Sequence, residues 1–185
     1  MTELSQIGRI VLPQSGWDEI VSHCRRKLAG DFLPGESEVR RAYGILAGLQ
    51  EKTEIKIDSV LPVKKNARAV EPLKTYMDTV MEKYAKPSKT PMGQRGWITD
   101  PLELKECYEA CDKEDLQIFG TYHMHIVAWE GDPLRDMPTV LDTVLARNSN
   151  LFTFIIAMVD ESNPSIKAFY EGKSEKEVPV IIEPV

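Results

Sequence analysis

Apolar positions along the chain follow two periodicities that alternate from one segment to the next. Residues 54–63 alternate apolar and polar side chains, and residues 42–50 and 151–159 form nearly unbroken apolar runs. Both patterns are typical of strands, the second of strands buried on both faces. Residues 15–29 instead repeat apolar positions at helical spacing. The predicted strands are residues 8–13, 42–50, 54–63, 116–127, 151–159, 166–172 and 178–183, and the predicted helices are residues 15–29, 76–85, 101–111 and 137–148, with a further helical turn near Ser37.

Glycine, proline and acidic residues mark several of these boundaries. Gly30 follows the first helix. Asp100, Pro101 and Glu103 supply the cap, the first-turn proline and the acid that typically open a helix. Residues 86–96 are rich in proline, glycine and polar side chains and indicate a loop. Because helices and strands are interleaved without a repeat, we predict one α/β domain over residues 1–185, a mixed β-sheet flanked by helices.

Composition and charge narrow the class of protein. The chain has 185 residues, of which 42% are hydrophobic and 28% charged, proportions of an ordinary globular protein with one core. Its formal net charge of −6 argues against a nucleic-acid binder, since phosphate binding needs a basic surface. We therefore expect no nucleic-acid partner.

The sequence gives no indication of a membrane or secretory location. No apolar run approaches the roughly 20 residues that span a bilayer, and the first residues lack a basic start followed by a long apolar segment. The three cysteines are Cys24, Cys107 and Cys111. Cys107 and Cys111, four residues apart, could form half of a zinc site, but no second pair stands near them. We interpret all three as buried or half-buried thiols and expect a cytoplasmic protein.

The most informative chemistry belongs to His123, His125 and Asp136. Alternate residues of a strand point to one face, roughly 6.5 Å apart, so that two imidazoles can bind one ion. A carboxylate from the following loop completes a ligand set found in catalytic zinc sites and, similarly, in non-haem iron sites. The pattern is equally consistent with a chance His-x-His and with Asp136 as the cap of the helix that begins near residue 137.

These residues resemble the signature of the JAMM family, also called MPN or Mov34: His-x-His, seven residues, Ser, two residues, Asp. His123, His125 and Asp136 match that spacing in full. Further segments resemble the family in the correct order, namely AYGILAG, DSVLPVKKNAR, ITDPLELKECYEA and IFGTYHMH. The resemblance implies a mixed sheet of the cytidine-deaminase-like sandwich type and a Zn²⁺ ion held by the three residues.

Two positions depart from the family pattern where catalysis would occur. The family's general base is a glutamate, and the frame set by Gly44 and Gly48 places Arg41 there. A guanidinium cannot accept a proton, because its pKa lies above about 12. The family's serine, which helps to hold the developing oxyanion, is Pro133, which has neither a hydroxyl nor an N–H group.

A replacement base would have to be another acid. Glu38 lies three residues before Arg41 and would share its face on a continuing helix. Glu36 is further away, and Glu130 lies in the loop after the second histidine. We take Glu38 as the tentative catalytic base, because a helix holds its geometry better than a loop. The alternative for each acid is a solvated surface carboxylate.

The resemblance implies a zinc metallopeptidase or isopeptidase with a divergent base. Its substrate would be a peptide, or the tail of a ubiquitin-like or sulfur-carrier protein. The alternative is a noncatalytic or weakly active MPN-type binding or assembly module that keeps the metal ligands. A metal-dependent hydrolase with a non-peptide substrate is a third possibility. Retention of all three ligands favours a bound metal, whereas Arg41 and Pro133 favour altered chemistry.

Overall fold

One eight-stranded sheet with four helices is formed by the described residues. The computed structural model describes residues 3–88 and 90–184, so residue 89 of the predicted 86–96 loop lies outside the described residues. The strands are β1 (Arg9–Pro13), β2 (Tyr43–Glu51), β3 (Glu54–Pro62), β4 (Gln117–His125), β5 (Phe152–Ala157), β6 (Ser165–Tyr170), β7 (Glu177–Val178) and β8 (Val180–Glu183). The helices are α1 (Gln14–Ala29), α2 (Leu73–Tyr84), α3 (Pro101–Lys113) and α4 (Val140–Ala146), with short 3₁₀ turns at Leu4–Gln6, Ala67–Ala69 and Met92–Gln94.

The sheet mixes parallel and antiparallel neighbours. Its strand order is β7-β6-β5-β4-β2-β3-β1-β8, with parallel pairing of β1 with β3 and β8 and of β4 with β5. The remaining pairs are antiparallel. The sheet curls until β6 approaches β8, which makes it nearly barrel-shaped. The predicted α/β class with a mixed sheet is therefore confirmed.

The unbroken apolar run of β2 reflects packing on both faces of the sheet. Ile45 and Ala47 belong to a small buried cluster with Cys111 of α3. Leu46 belongs to the main core, together with Ile20 of α1. Since successive side chains of a strand point to opposite faces, a strand covered on both sides needs an apolar residue at every position.

The helix boundaries predicted at Gly30 and Asp100 are confirmed by the backbone. Gly30 adopts a left-handed conformation with φ +79° at the end of α1, where a side chain would be strained. The Asp100 carboxylate accepts hydrogen bonds from the N–H groups of Leu102 and Glu103 at the start of α3. Within the described ranges, no helix is both long and apolar enough to cross a membrane.

The three cysteines are free thiols, as predicted. Cys24 and Cys111 are buried and Cys107 is half-buried. Burial raises the pKa of Cys24 to about 12, which makes this thiol unreactive. Cys107 and Cys111 join no cluster of metal-binding side chains in the part of the chain that the structure describes.

The helical turn predicted near Ser37 is wrong, because the polar groups of this residue bond to neighbouring segments. The Ser37 N–H donates to the carbonyl of Lys64 at 2.8 Å. Its carbonyl accepts a hydrogen bond from the buried Lys27 ammonium, and its hydroxyl accepts one from the Asn66 N–H, both at 2.8 Å. These tertiary hydrogen bonds stabilise an irregular segment over residues 36–39 in place of a helix.

The Glu36 carboxylate is enclosed between this segment and α1. It accepts hydrogen bonds from the Arg26 guanidinium at 2.6 and 2.7 Å and from the Leu33 N–H at 2.8 Å, and it lies 3.8 Å from the Lys27 ammonium. The hydrogen bonds from Arg26 lower the pKa of Glu36 to about 2, although burial opposes the shift. Only 1% of its side chain is exposed. Glu36 is therefore a structural anion and not a candidate base.

We expect Glu36→Gln to lower the free energy of unfolding at pH 7 by about 3 kcal/mol, because the change leaves the Lys27 ammonium buried without its counterion. The folded-state pKa of Glu36 is depressed, so its contribution is present above the pKa of an unfolded glutamate, about 4.3, and is lost as the pH falls toward 2. Urea denaturation at pH 7 and at pH 3 measures both effects, and the gap between wild type and variant should narrow at pH 3.

Glu38→Gln is the matched control, since Glu38 is an exposed glutamate of the same segment. It should change the free energy of unfolding by less than about 0.5 kcal/mol. Equal losses in the two variants would contradict the assigned role of Glu36.

Candidate metal centre

Two histidines of β4 and one aspartate of α4 meet on one face of the sheet. The Nε2 atoms of His123 and His125 are 3.1 Å apart. Asp142 Oδ1 lies 3.2 Å from His123 Nε2, and Asp142 Oδ2 lies 3.6 Å from His125 Nε2. Among the residues that the structure describes, these three are the group whose potential ligand atoms all lie within 4.8 Å of one another.

The separations match those that a tetrahedral metal imposes on its ligands. Two atoms bound at about 2.05 Å to a zinc ion with tetrahedral angles lie about 3.3 Å apart. The three measured separations of 3.1, 3.2 and 3.6 Å bracket that value. Two imidazoles and one carboxylate are also the donors of catalytic zinc sites that keep one position open. The three side chains therefore fit zinc in both donor type and spacing.

The protonation of His125 is fixed by a backbone contact. Its Nδ1 lies 3.1 Å from the carbonyl oxygen of Arg135, and a carbonyl can only accept a hydrogen bond. Nδ1 therefore holds the proton, which leaves Nε2 free to bind a metal. Burial, followed by the charge of His123, lowers the pKa of His125 to about 3. The imidazole is consequently neutral near pH 7, as a metal ligand must be.

Asp142 is a helix-capping residue as well as the acid of the cluster. Its Oδ2 accepts a hydrogen bond from the Thr139 N–H at 2.6 Å, and its own N–H donates to the Thr139 hydroxyl at 3.2 Å. This capping box orients the carboxylate from the first turn of α4. Burial by itself would raise the pKa of Asp142, but the electrostatic interaction and hydrogen bond with His123, the interaction with His125 and the hydrogen bond from the Thr139 N–H outweigh it and hold that pKa below its usual range.

The predicted ligand Asp136 does not join the two histidines. Its Oδ2 lies 3.0 Å from the ammonium of Lys167 on β6. In the sheet, His123 of β4 pairs with Ile155 of β5, and Ile155 pairs with Lys167 of β6. The ammonium that binds Asp136 therefore belongs to the second strand from β4. Asp136 does not cap α4 either, because Thr139 does. In this structure the acid of the cluster is Asp142 in place of Asp136.

The acids considered as replacement bases lie outside the cluster. Glu130 is exposed in the loop that follows β4, as is Pro133. Glu38 is exposed on the irregular segment 36–39, so the helix that was expected to hold it in place is absent. Across the described ranges, Asp142 is the single acid that groups with the histidine pair.

Comparisons with known proteins show the fold and leave the family open. No protein-family model matches the chain, and no curated protein matches it. Among solved structures, the chain is similar to the solution structure of protein DSY2949 from Desulfitobacterium hafniense. The TM-score is 0.62 and the sequence identity 19%, over 95% of this chain and 94% of that chain. At this identity the likeness shows a shared fold alone.

Two aromatic side chains extend from His123 along the sheet face. The ring of Tyr43, opposite His123 in the β2–β4 pairing, is stacked 6.2 Å from the imidazole at an interplanar angle of 10°. The Trp97 ring is stacked 5.7 Å from Tyr43 at 5°. The stack connects the cluster of two histidines and Asp142 with the segment that precedes α3.

Trp129 connects the loop after β4 with the residues that follow α2. The Arg135 guanidinium lies 3.6 Å from the centre of its ring, and the Lys86 ammonium lies 4.5 Å from it. The Trp129 ring therefore contacts two cations, one from each segment. Arg95 donates a hydrogen bond to the carbonyl of Lys86 at 2.9 Å. This bond links Arg95 to the residue whose ammonium lies over the Trp129 ring.

Proposed function

We propose that the chain is a zinc-binding hydrolase of the JAMM/MPN type that cleaves a peptide or isopeptide bond at the tail of a ubiquitin-like or sulfur-carrier protein. The observation that supports it most is the convergence of His123, His125 and Asp142 at the mutual distances of zinc ligands. The ordered sequence segments that resemble the family support the substrate class.

The three side chains would hold the metal with one position open. A zinc ion bound there would supply Lewis-acid chemistry for the hydrolysis of a carbonyl compound. The residues themselves provide two imidazole nitrogen donors and one carboxylate. His123 has 20% of its side chain exposed, against 8% for His125 and 13% for Asp142. A substrate therefore approaches from the side of His123.

The proton acceptor is the unusual part of the proposed site. Asp142 is engaged by two histidines and by the Thr139 N–H, and Glu36 is engaged by Arg26. Glu38 has no partner among the described residues and stays the proposed base, acting from an irregular segment. We therefore expect slower turnover than in a hydrolase with a fixed glutamate beside the metal, since a positioned base contributes about 10²–10⁴-fold.

A second candidate function is a zinc-containing binding module without turnover. It is favoured by Arg41, which is half-buried and lies two residues before Tyr43, the residue that pairs with His123. Arg41 brings a positive charge to the position where the family has its base. A guanidinium there binds anions but cannot accept a proton.

Incubation of the zinc-loaded protein with a tail-extended ubiquitin-like or sulfur-carrier protein tests the proposal, with mass spectrometry of the products. We expect cleavage at the end of the tail, lost in His123→Ala. Absence of cleavage by protein that holds one equivalent of zinc would favour the binding module. Glu38→Gln should slow the reaction by about 100-fold or more if Glu38 is the base, and an unchanged rate would remove Glu38 from that role.

A further inference from the structure

Arg41 and Arg95 are set apart from the other enclosed arginines because neither has an acidic partner. Arg41 donates a hydrogen bond to the carbonyl of Arg40 at 3.2 Å, and Arg95 donates to the carbonyl of Lys86 at 2.9 Å. Among the ion pairs of the described residues, none joins a carboxylate to either guanidinium. The other buried or half-buried arginines there each pair with a carboxylate: Arg26 with Glu36, Arg68 with Asp78 and Arg135 with Asp132.

The aromatic stack brings these two arginines together. Arg41 lies two residues before Tyr43 and Arg95 two residues before Trp97, and the Tyr43 and Trp97 rings are stacked at 5.7 Å. Both arginines are half-buried. Burial, followed by the positive charge of Arg95, lowers the pKa of Arg41, as expected for two neighbouring cations without a counterion. Their mutual repulsion would be relieved by an anion.

The strand register places Arg41 beside the cluster of His123, His125 and Asp142. Tyr43 is opposite His123, and β2 runs antiparallel to β4, so the chain before Tyr43 continues toward His125. Arg41 is two residues along that path, roughly 6.5 Å for an extended chain. An anion held by Arg41 would therefore lie close to the two histidines of β4.

We propose that Arg41 and Arg95 form an oxyanion-binding subsite that holds a carboxylate or phosphate group of the substrate next to the metal centre. Planar guanidinium groups bind both anions through paired N–H···O bonds. This inference deepens the proposed function and rests on it for the claim that the bound anion belongs to a substrate. The binding of an anion by the two arginines needs no metal. The subsite selects substrates with a negative charge adjacent to the bond that is cleaved.

Anion titrations of the wild-type protein, dialysed free of metal, test the subsite independently of zinc and turnover while they keep the His123 ring on Tyr43. The probes are inorganic phosphate, an acetylated dipeptide with a free C-terminal carboxylate, and the same dipeptide as its amide. The readout is the NMR shift of the arginine Nε–H groups and of the indole N–H of Trp97. We expect at least one anion to bind and the amide to bind at least about tenfold more weakly than the carboxylate if the carboxylate binds. The stronger of the two anions identifies the group that the substrate carries.

Substitutions decide whether the two arginines are responsible. Arg41→Gln and Arg95→Gln should each weaken anion binding by at least about tenfold, whereas Arg40→Gln, the same charge change at an exposed neighbour, should leave it within about twofold. Arg41→Lys keeps the charge and gives an intermediate loss if Arg41→Gln fails to fold. Absence of binding by both anions, or equal effects of Arg40→Gln and Arg41→Gln, would overturn the proposal.

Discussion

Replacement of Asp142 with asparagine is expected to weaken zinc binding by at least about 100-fold. The amide keeps the shape of the side chain but removes the negative charge that faces both histidine Nε2 atoms at 3.2 and 3.6 Å. Competition with a chromophoric chelator at pH 7 measures the change. His123→Ala should give a loss of similar size, because it also removes one of three ligands.

Two control variants separate the ligand role of Asp142 from its neighbours in sequence and from its capping role. Asp136→Asn should leave the zinc affinity within about threefold, because Asp136 pairs with Lys167. Thr139→Ala removes the hydroxyl of the capping box and should cost about 1 kcal/mol of stability while zinc still binds. A large loss of zinc in Asp136→Asn with none in Asp142→Asn would show that the ligand is the one implied by the family spacing.

Gly120→Ala is expected to destabilise the protein by at least about 4 kcal/mol. A Cβ atom at Gly120 would lie 2.2 Å from the carbonyl oxygen of Phe152 and 2.8 Å from the Phe154 ring. The oxygen belongs to the backbone of β5, which pairs with β4, so the clash cannot be relieved by a side-chain rotation. β4 and β5 would have to separate at the strand that holds both histidines. Thermal and urea unfolding measure the loss.

Gly131→Ala is the control for this prediction. A Cβ atom there meets no atom within 4 Å, and the residue lies in the loop after β4. We expect its stability to stay within about 1 kcal/mol of wild type. If Gly120→Ala were as stable as Gly131→Ala, the close approach of β4 and β5 at this point would be wrong.

The parts of the fold that sequence could predict are those fixed by local rules. The run around Leu46 identified a strand covered on both faces, and the αL position of Gly30 and the capping by Asp100 fixed helix ends. The segment around Ser37 could not be predicted in this way. Its conformation depends on hydrogen bonds with Lys27 and Lys64, which belong to α1 and to the segment after β3 and lie outside the local sequence window of Ser37.

The candidate site also has a part that follows from local rules and a part that depends on tertiary contacts. His123 and His125 could be paired from sequence, because alternate residues of a strand share a face whatever the strand packs against. The acid could not be chosen by spacing, since Asp136 and Asp142 both follow the histidines closely and the choice depends on where Lys167 lies. The pattern Thr139-Val-Leu-Asp142 does carry a local signal, the capping box, that orients the second acid.

For the two arginines, the sequence shows the departure at Arg41 but does not show which residues surround it. Arg41 is a cation at the position where the family resemblance implies a base. That Arg95 lies near it depends on the stacking of Trp97 on Tyr43, a contact between residues far apart in the chain. The same holds for Lys86 and Trp129, which bring the residues after α2 onto the loop after β4.

A crystal structure of the zinc-loaded protein, with anomalous diffraction at the zinc absorption edge, tests the central claim most directly. We predict one anomalous peak about 2.0–2.2 Å from His123 Nε2, His125 Nε2 and an Asp142 carboxylate oxygen. A peak that lies on Asp136 with Asp142 turned away, or on the thiols of Cys107 and Cys111, would contradict it.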